Sequence, residues 1–279
     1  MCIRDSINND DANAYVGLFN YKTKEFGISG DATYVDDQLG LQVVGGSVVP
    51  GDQTHKGPIH FWNFGLRGNA NIGDLALKLD GELQAGKVDV FVSPGVAAKK
   101  DFDGYAILAG ASYKLAPVTL SLDFAYGSGD DNGTDGKVKG FVTSQSAIQH
   151  FTYVYDYRTK NACGMQYGGL CNTMYVKLGA NAPLAKDLAG ELGLYWLQAA
   201  KKMLGVAELG GTATDSKSIG TEVDARITYK IDRNLTYWVE GGYLFAGDFW
   251  KGTAGKGTPA GSGSPDDAYT VRHGIQLSF

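Results

Sequence analysis

Residues Tyr269 to Phe279 read Y-T-V-R-H-G-I-Q-L-S-F. Tyr269, Val271, His273, Ile275, Leu277 and Phe279 alternate with Thr270, Arg272, Gly274, Gln276 and Ser278. Successive side chains of a strand point to opposite faces, so the stretch predicts a strand with one apolar, aromatic face and one polar face. Its length is near the roughly 9–11 residues with which a tilted strand crosses a bilayer. An aromatic at its end suits an interfacial girdle better than a frayed soluble terminus.

The same alternation recurs upstream. Strand patterns are expected over 12–21, 26–36, 58–71, 74–87, 101–114, 118–127, 172–183, 188–201, 218–230 and 235–246, so the chain carries about eleven strands with the last. In 74–87, Leu75, Leu77, Leu79 and Leu83 oppose Lys78, Asp80, Glu82 and Gln84. In 218–230, Ile219, Val223, Ile227 and Tyr229 oppose Glu222, Asp224, Arg226 and Lys230. Short turns are expected near 72, 116, 186 and 232, with long Gly- or Asp-rich connections between them, the longest from 128 to 170. Residues 88–100 read as such a connection, and the apolar patch 39–49 is open between loop and strand. A soluble sandwich has no reason to gather every long loop at one end, whereas outer-membrane barrels do.

Composition is compatible with this. The chain has 279 residues, 40 Gly, 16 Tyr, 12 Phe and 7 Pro, with 20% charged residues and a formal net charge of −5. That charge argues against a nucleic-acid surface. No stretch approaches the roughly 18 apolar residues of a membrane helix. A membrane protein without one must be a closed barrel, because lipid offers no water to open backbone. The expected fold is therefore all-β, an up-and-down antiparallel transmembrane barrel in the bacterial outer membrane. An odd count of strands conflicts with the even number of complete bacterial barrels. The reading therefore expects a barrel truncated at its N-terminal side. Residues 1–11 are set aside as a non-native or disordered start, because they show no basic region followed by an apolar core; 12–279 is read as the barrel.

The polar faces give the candidate pore lining. Its cations are Arg67, Lys78, Lys114, Lys177, Arg226, Lys230 and Arg272. Its anions are Asp80, Glu82, Asp123, Glu191, Glu222, Asp224 and Glu240. The lumen is expected to accept these charges because lipid and a dry core both penalise them. Cys163 and Cys171, eight apart in a Gly-rich loop, read either as a loop-closing disulfide or as two unpaired thiols. No metal site or cofactor is expected: the cysteines lack partners at ligand spacing, and Asp130, Asp131, Asn132 and Asp135 fit no calcium-loop pattern and read as a solvated loop. No G-x-S-x-G or H-E-x-x-H occurs, so no enzyme is expected.

Arg272, Gly274, Leu277 and Phe279 fill, in order, a pattern that resembles the C-terminal assembly signal of outer-membrane barrels. That resemblance implies the barrel-assembly machinery as a partner, beside outer-membrane lipid. Phe124 to Phe141, F-A-Y-G-S-G-D-D-N-G-T-D-G-K-V-K-G-F, and Gly220 to Phe249 resemble alginate-export-type outer-membrane porins. The resemblance covers most of 58–279 and implies a monomeric barrel of about eighteen strands conducting a polar or anionic solute. Alginate-exporting members carry a strongly cationic pore, whereas the lining named above carries both signs equally. Selectivity follows rings of one sign. Passive diffusion of small polar or anionic solutes is therefore the expected function, beside alginate-like export or a non-conducting structural barrel.

Overall fold

The computed structural model describes residues 12–37, 41–44, 47–50, 58–93, 96–143, 150–159, 162–163, 168–202, 216–252 and 266–279. Residues 1–11, set aside above, lie outside them.

The strands are β1 (Ala12–Lys22), β2 (Phe26–Asp37), β3 (Leu41–Val44), β4 (Ser47–Pro50), β5 (Ile59–Ile72), β6 (Leu75–Ser93), β7 (Val96–Phe102), β8 (Tyr105–Leu115), β9 (Val118–Gly127), β10 (Lys137–Val138), β11 (Thr173–Ala185), β12 (Leu188–Ala199), β13 (Ser218–Lys230), β14 (Leu235–Ala246) and β15 (Ala268–Leu277). One helical turn, α1 (Tyr155–Arg158), and a 3-10 segment at Asp248–Gly252 complete the regular elements. Eleven strands form a continuous antiparallel wall in the order β1-β2-β5-β6-β8-β9-β11-β12-β13-β14-β15. β1 and β15 are its two edges and do not pair with each other. The fold is thus an all-β antiparallel meander, built as an outer-membrane barrel wall is built.

The short turns fall at 73–74, 116–117, 186–187 and 231–234, and a further one lies between β1 and β2. One connection differs from the sequence expectation, and the patch left open between loop and strand is resolved. Residues 88–100 do not leave the sheet: β6 runs on to Ser93 and turns back as β7, pairing Lys87 with Asp101 and Asp89 with Lys99. Alternation fades there because a hairpin standing beyond the wall has no lipid face to satisfy. The 39–49 patch gives β3 and β4, which pair only with each other, off the wall.

Register shows which residues share a face. Residues directly opposite in a ladder point the same way. Tyr34 pairs with Tyr15 and Trp62, Leu79 with Ala109, Leu122 with Leu178, and Val239 with His273. These lie on the outer face, where Leu66, Leu83, Val271 and Ile275 are each more than 60% exposed. Leaving such side chains in water forfeits about 1.5–3 kcal/mol apiece, and hydrocarbon removes that cost. Aromatic residues gather toward both ends of the outer face. Tyr34 lies against Trp62 with ring centroids 4.6 Å apart, and Tyr105 stacks on Tyr126 at 5.7 Å, toward the long connections. Tyr21 and Phe26, 5.9 Å apart, flank a short turn. Such girdles mark the two water interfaces of a membrane barrel.

The buried apolar residues are not between sheets. Val154, Tyr155, Leu197, Ile219, Leu244 and Phe249 form one cluster, and Ile59, Val88, Phe102 and Val138 a smaller one. Both lie where the long connections pack against the wall.

Candidate functional site

The inner face is polar. Along it the ladders align Arg67 with Asp80, Gly65 with Glu82, Gly110 with Lys78 and Asp123, Asp123 with Lys177, Glu191 with Arg226, and Glu240 with Arg226 and Arg272. Every charge named as candidate lining lies on this face, with Lys114 and Lys230 exposed near its short-turn end.

Most of these charges are paired. Arg67 binds three carboxylates: Asp31 and Glu82 through its terminal nitrogens, and Asp80 through Nε at 3.1 Å. Gly65 makes room, since a Cβ there would meet the Asp31 and Glu82 oxygens. Lys78 reaches Asp123 at 2.8 Å across Gly110, where a Cβ would collide with both. Glu240, almost fully buried, is shared by Arg226 at 3.2 Å and by Arg272. Arg226 lies 5.0 Å from the Trp238 ring, and Arg272 4.2 Å from Tyr157. Lys177 stands 5.2 Å over the Tyr195 ring.

The described parts of the 128–170 connection pack on this face and are fastened on two sides. On the β6 side, the Gln84 amide donates to the Val142 carbonyl at 2.7 Å and accepts from the Val142 N–H at 2.9 Å. On the β13 side, Glu222 accepts the N–H groups of Val154 at 2.7 Å and Tyr155 at 2.9 Å. Asp224 accepts from Tyr153 N–H at 3.1 Å. Tyr195 donates its hydroxyl to the Phe151 carbonyl at 2.6 Å. Glu222 thereby places a carboxylate at the N-terminal end of α1, where exposed N–H groups need acceptors and negative charge is favoured.

One expectation is corrected here. Asp123, Glu222, Asp224 and Glu240 were expected to line an open lumen, but they are 8%, 0%, 5% and 3% exposed. They are on the expected face and lie beneath the connection or against the cations that bind them. The sequence argument weighed water against lipid and left out a segment of the same chain as the cover.

The return limb is held as firmly. Cys163 and Cys171 form a disulfide. Tyr155 Oη takes the Ala162 N–H at 2.9 Å and lies 2.7 Å from Thr173 Oγ1, while Asn172 Nδ2 donates to the Ala162 carbonyl at 3.0 Å. Asp156 is fully buried, and burial pushes its carboxyl up to about 7. It accepts from Phe151 N–H at 3.3 Å and lies 3.4 Å from His150, whose pKa is lowered by burial and by Arg272 and Arg158. Burial likewise pushes the Tyr153 hydroxyl up to about 12. Nearer the long-loop rim, Lys201 and Lys139 hold the Asp131 and Asp135 carboxyls below their ordinary range.

Phe151, Tyr155, Asp156 and Asn172 are thus site residues that sequence reading missed, and Gln84 was placed on the polar face without a role. Many of their partners are backbone atoms, which leave no mark on side-chain pattern. In β15, Gly274 lies opposite Trp238, whose indole occupies the space a Cβ would take. Leu277 and Phe279 are exposed on the outer side.

A family model described as alginate export matches residues 4–260. No curated protein matches. Solved structures that are similar include OccK11 (OpdR) of Pseudomonas aeruginosa, at 11% identity and a TM-score of 0.40, covering 98% of this chain and 68% of that one. Another is a chain from work on the in-meso crystallization of membrane proteins, at 10% identity and a TM-score of 0.35, covering 98% and 78%.

Proposed function

Because the chain belongs to the alginate export family, whose members are outer-membrane β-barrels, we propose that this channel passes small polar solutes by passive diffusion through a lumen narrowed by its own 128–170 connection. The observation that carries the reading is the connection's docking across the polar face, through Gln84 on one side and Glu222 and Asp224 on the other. A segment held there restricts size, and the paired charges beside it restrict sign.

Charge pairing favours a general polar channel over a cationic track. Arg67, Lys78, Arg226 and Arg272 each have a carboxylate partner on the wall. The family description favours a second reading, passage of an anionic polysaccharide. Single-channel recording of the full-length protein separates the two. Small-ion conductance should persist in the presence of a polyuronate, and reversing charge at Arg226 and Lys230 together should move the reversal potential toward cation preference. Complete block by submillimolar polyuronate would favour the second reading, and a folded barrel that conducts nothing would refute both.

A further inference from the structure

A cavity of about 650 Å³ lies between the inner wall of β2, β5, β6 and β8 and the in-folded connection. That volume is within the range of small-molecule sites. Its two walls differ in chemistry. On the strand side stand Asp31, Asp80 and Glu82, all bound to Arg67. Arg67 lines the cavity among them, and three carboxylic groups stand against its one guanidinium, so acidic groups outnumber the cation on this wall. Asp80 Oδ1 is screened from solvent and has no hydrogen-bond partner among the described residues. On the other side the connection and β11 present Phe141, Phe151 and Tyr175. The last two stack with centroids 4.9 Å apart. His150, at the same margin, is kept from protonating by burial and by the arginines near it, so it adds no positive charge near neutral pH.

Acidic groups on one wall and aromatic faces on the other favour one kind of visitor. A cationic nitrogen is attracted by the carboxylates and by the aromatic rings, and a flat apolar body packs on those rings. An anion of the same shape gains the packing and meets repulsion. We infer that this cavity is a solute subsite for organic cations with an apolar body, of the arylammonium class. The inference rests on the channel reading for its place in a lumen, yet binding can be measured apart from conduction.

The test uses the full-length protein folded in detergent and in planar bilayers, with benzylammonium and phenylacetate as matched probes. Calorimetry should give benzylammonium at least about tenfold tighter than phenylacetate, the effect of one charge-assisted contact. Glu82→Gln, close to isosteric, should remove most of that preference. Phe151→Ala should weaken both probes together, because it removes packing and leaves charge alone. Asp232→Asn, in the exposed short turn between β13 and β14 and remote from the cavity, should change neither. Equal affinities for the two probes, or an unaltered preference in Glu82→Gln, would overturn the subsite even in a channel that conducts normally. A protein that prefers benzylammonium as expected but carries no current would keep the subsite and overturn the channel.

Discussion

Glu222→Gln tests the docking of the connection with the smallest change in shape. In the folded chain both Glu222 oxygens are used, one by Val154 N–H and one by Tyr155 N–H, and the side chain is wholly buried. Glutamine keeps one acceptor and sets an NH₂ against the other amide. One buried donor then lacks an acceptor, at a cost of about 1–3 kcal/mol. That cost falls on the docked state alone, because an undocked connection hydrogen-bonds to water. The docked-to-undocked ratio should therefore fall by about 5- to 150-fold. Asp224 still holds Tyr153 N–H and Tyr195 still holds the Phe151 carbonyl, so the connection should open more often without being lost.

Two measurements read that change. Thr152, within the docked connection, is fully buried, so Thr152→Cys supplies a thiol that reacts with a methanethiosulfonate reagent only on opening. Adding Glu222→Gln should raise its modification rate by the same factor. Single-channel records should spend correspondingly longer in a higher-conductance level. Unchanged modification rates together with unchanged levels would refute the claim that this carboxylate fastens the connection.

Two other outcomes follow from the same region. Asp156 has its carboxyl raised to about 7 from 3.8, so the fold favours its protonated form. Its contribution is fully present below about pH 4 and is lost as pH rises through 7, by about 4 kcal/mol at most. Glu222 faces Asp156 and opposes its ionisation, while neutral His150 does not compensate it. Openings should therefore become more frequent between pH 6 and 8, and Asp156→Asn should flatten that dependence; a wild-type record independent of pH would count against it. Replacing Cys163 and Cys171 with serine frees a loop whose closure stabilises the fold by about 2.5 kcal/mol. The same Thr152→Cys assay should report faster modification in that variant, and an unchanged rate would show that the Tyr155–Thr173 and Asn172–Ala162 contacts hold the limb unaided.

The wall was legible in the sequence because its rule is local. Period 2 needs only a residue and its neighbours, and it assigned Leu79 outward and Lys78 inward without reference to any other strand. Some of the site was legible by the same means. Counting equally outward from a tight turn gives the register of a hairpin, so the turn at 73–74 sets Arg67 opposite Asp80; the same count from 231–234 sets Arg226 opposite Val239, one residue short of the Glu240 that the ladder pairs with it. The third member of each cluster cannot be found this way. Glu240 meets Arg272, and Arg67 meets Asp31, across long connections whose length does not fix register. Coverage of the inner face is further still from sequence. Period 2 says that Glu222 points inward, and it is silent on whether water or chain awaits it there. The groups that await it are the backbone N–H groups of Val154 and Tyr155, 68 and 67 residues away. Every non-proline residue carries such a group, so Tyr153-Val154-Tyr155 looks no different from any apolar stretch. Glu222 and Asp224, which look from sequence like channel lining, serve instead to hold a segment of the same chain against the polar face.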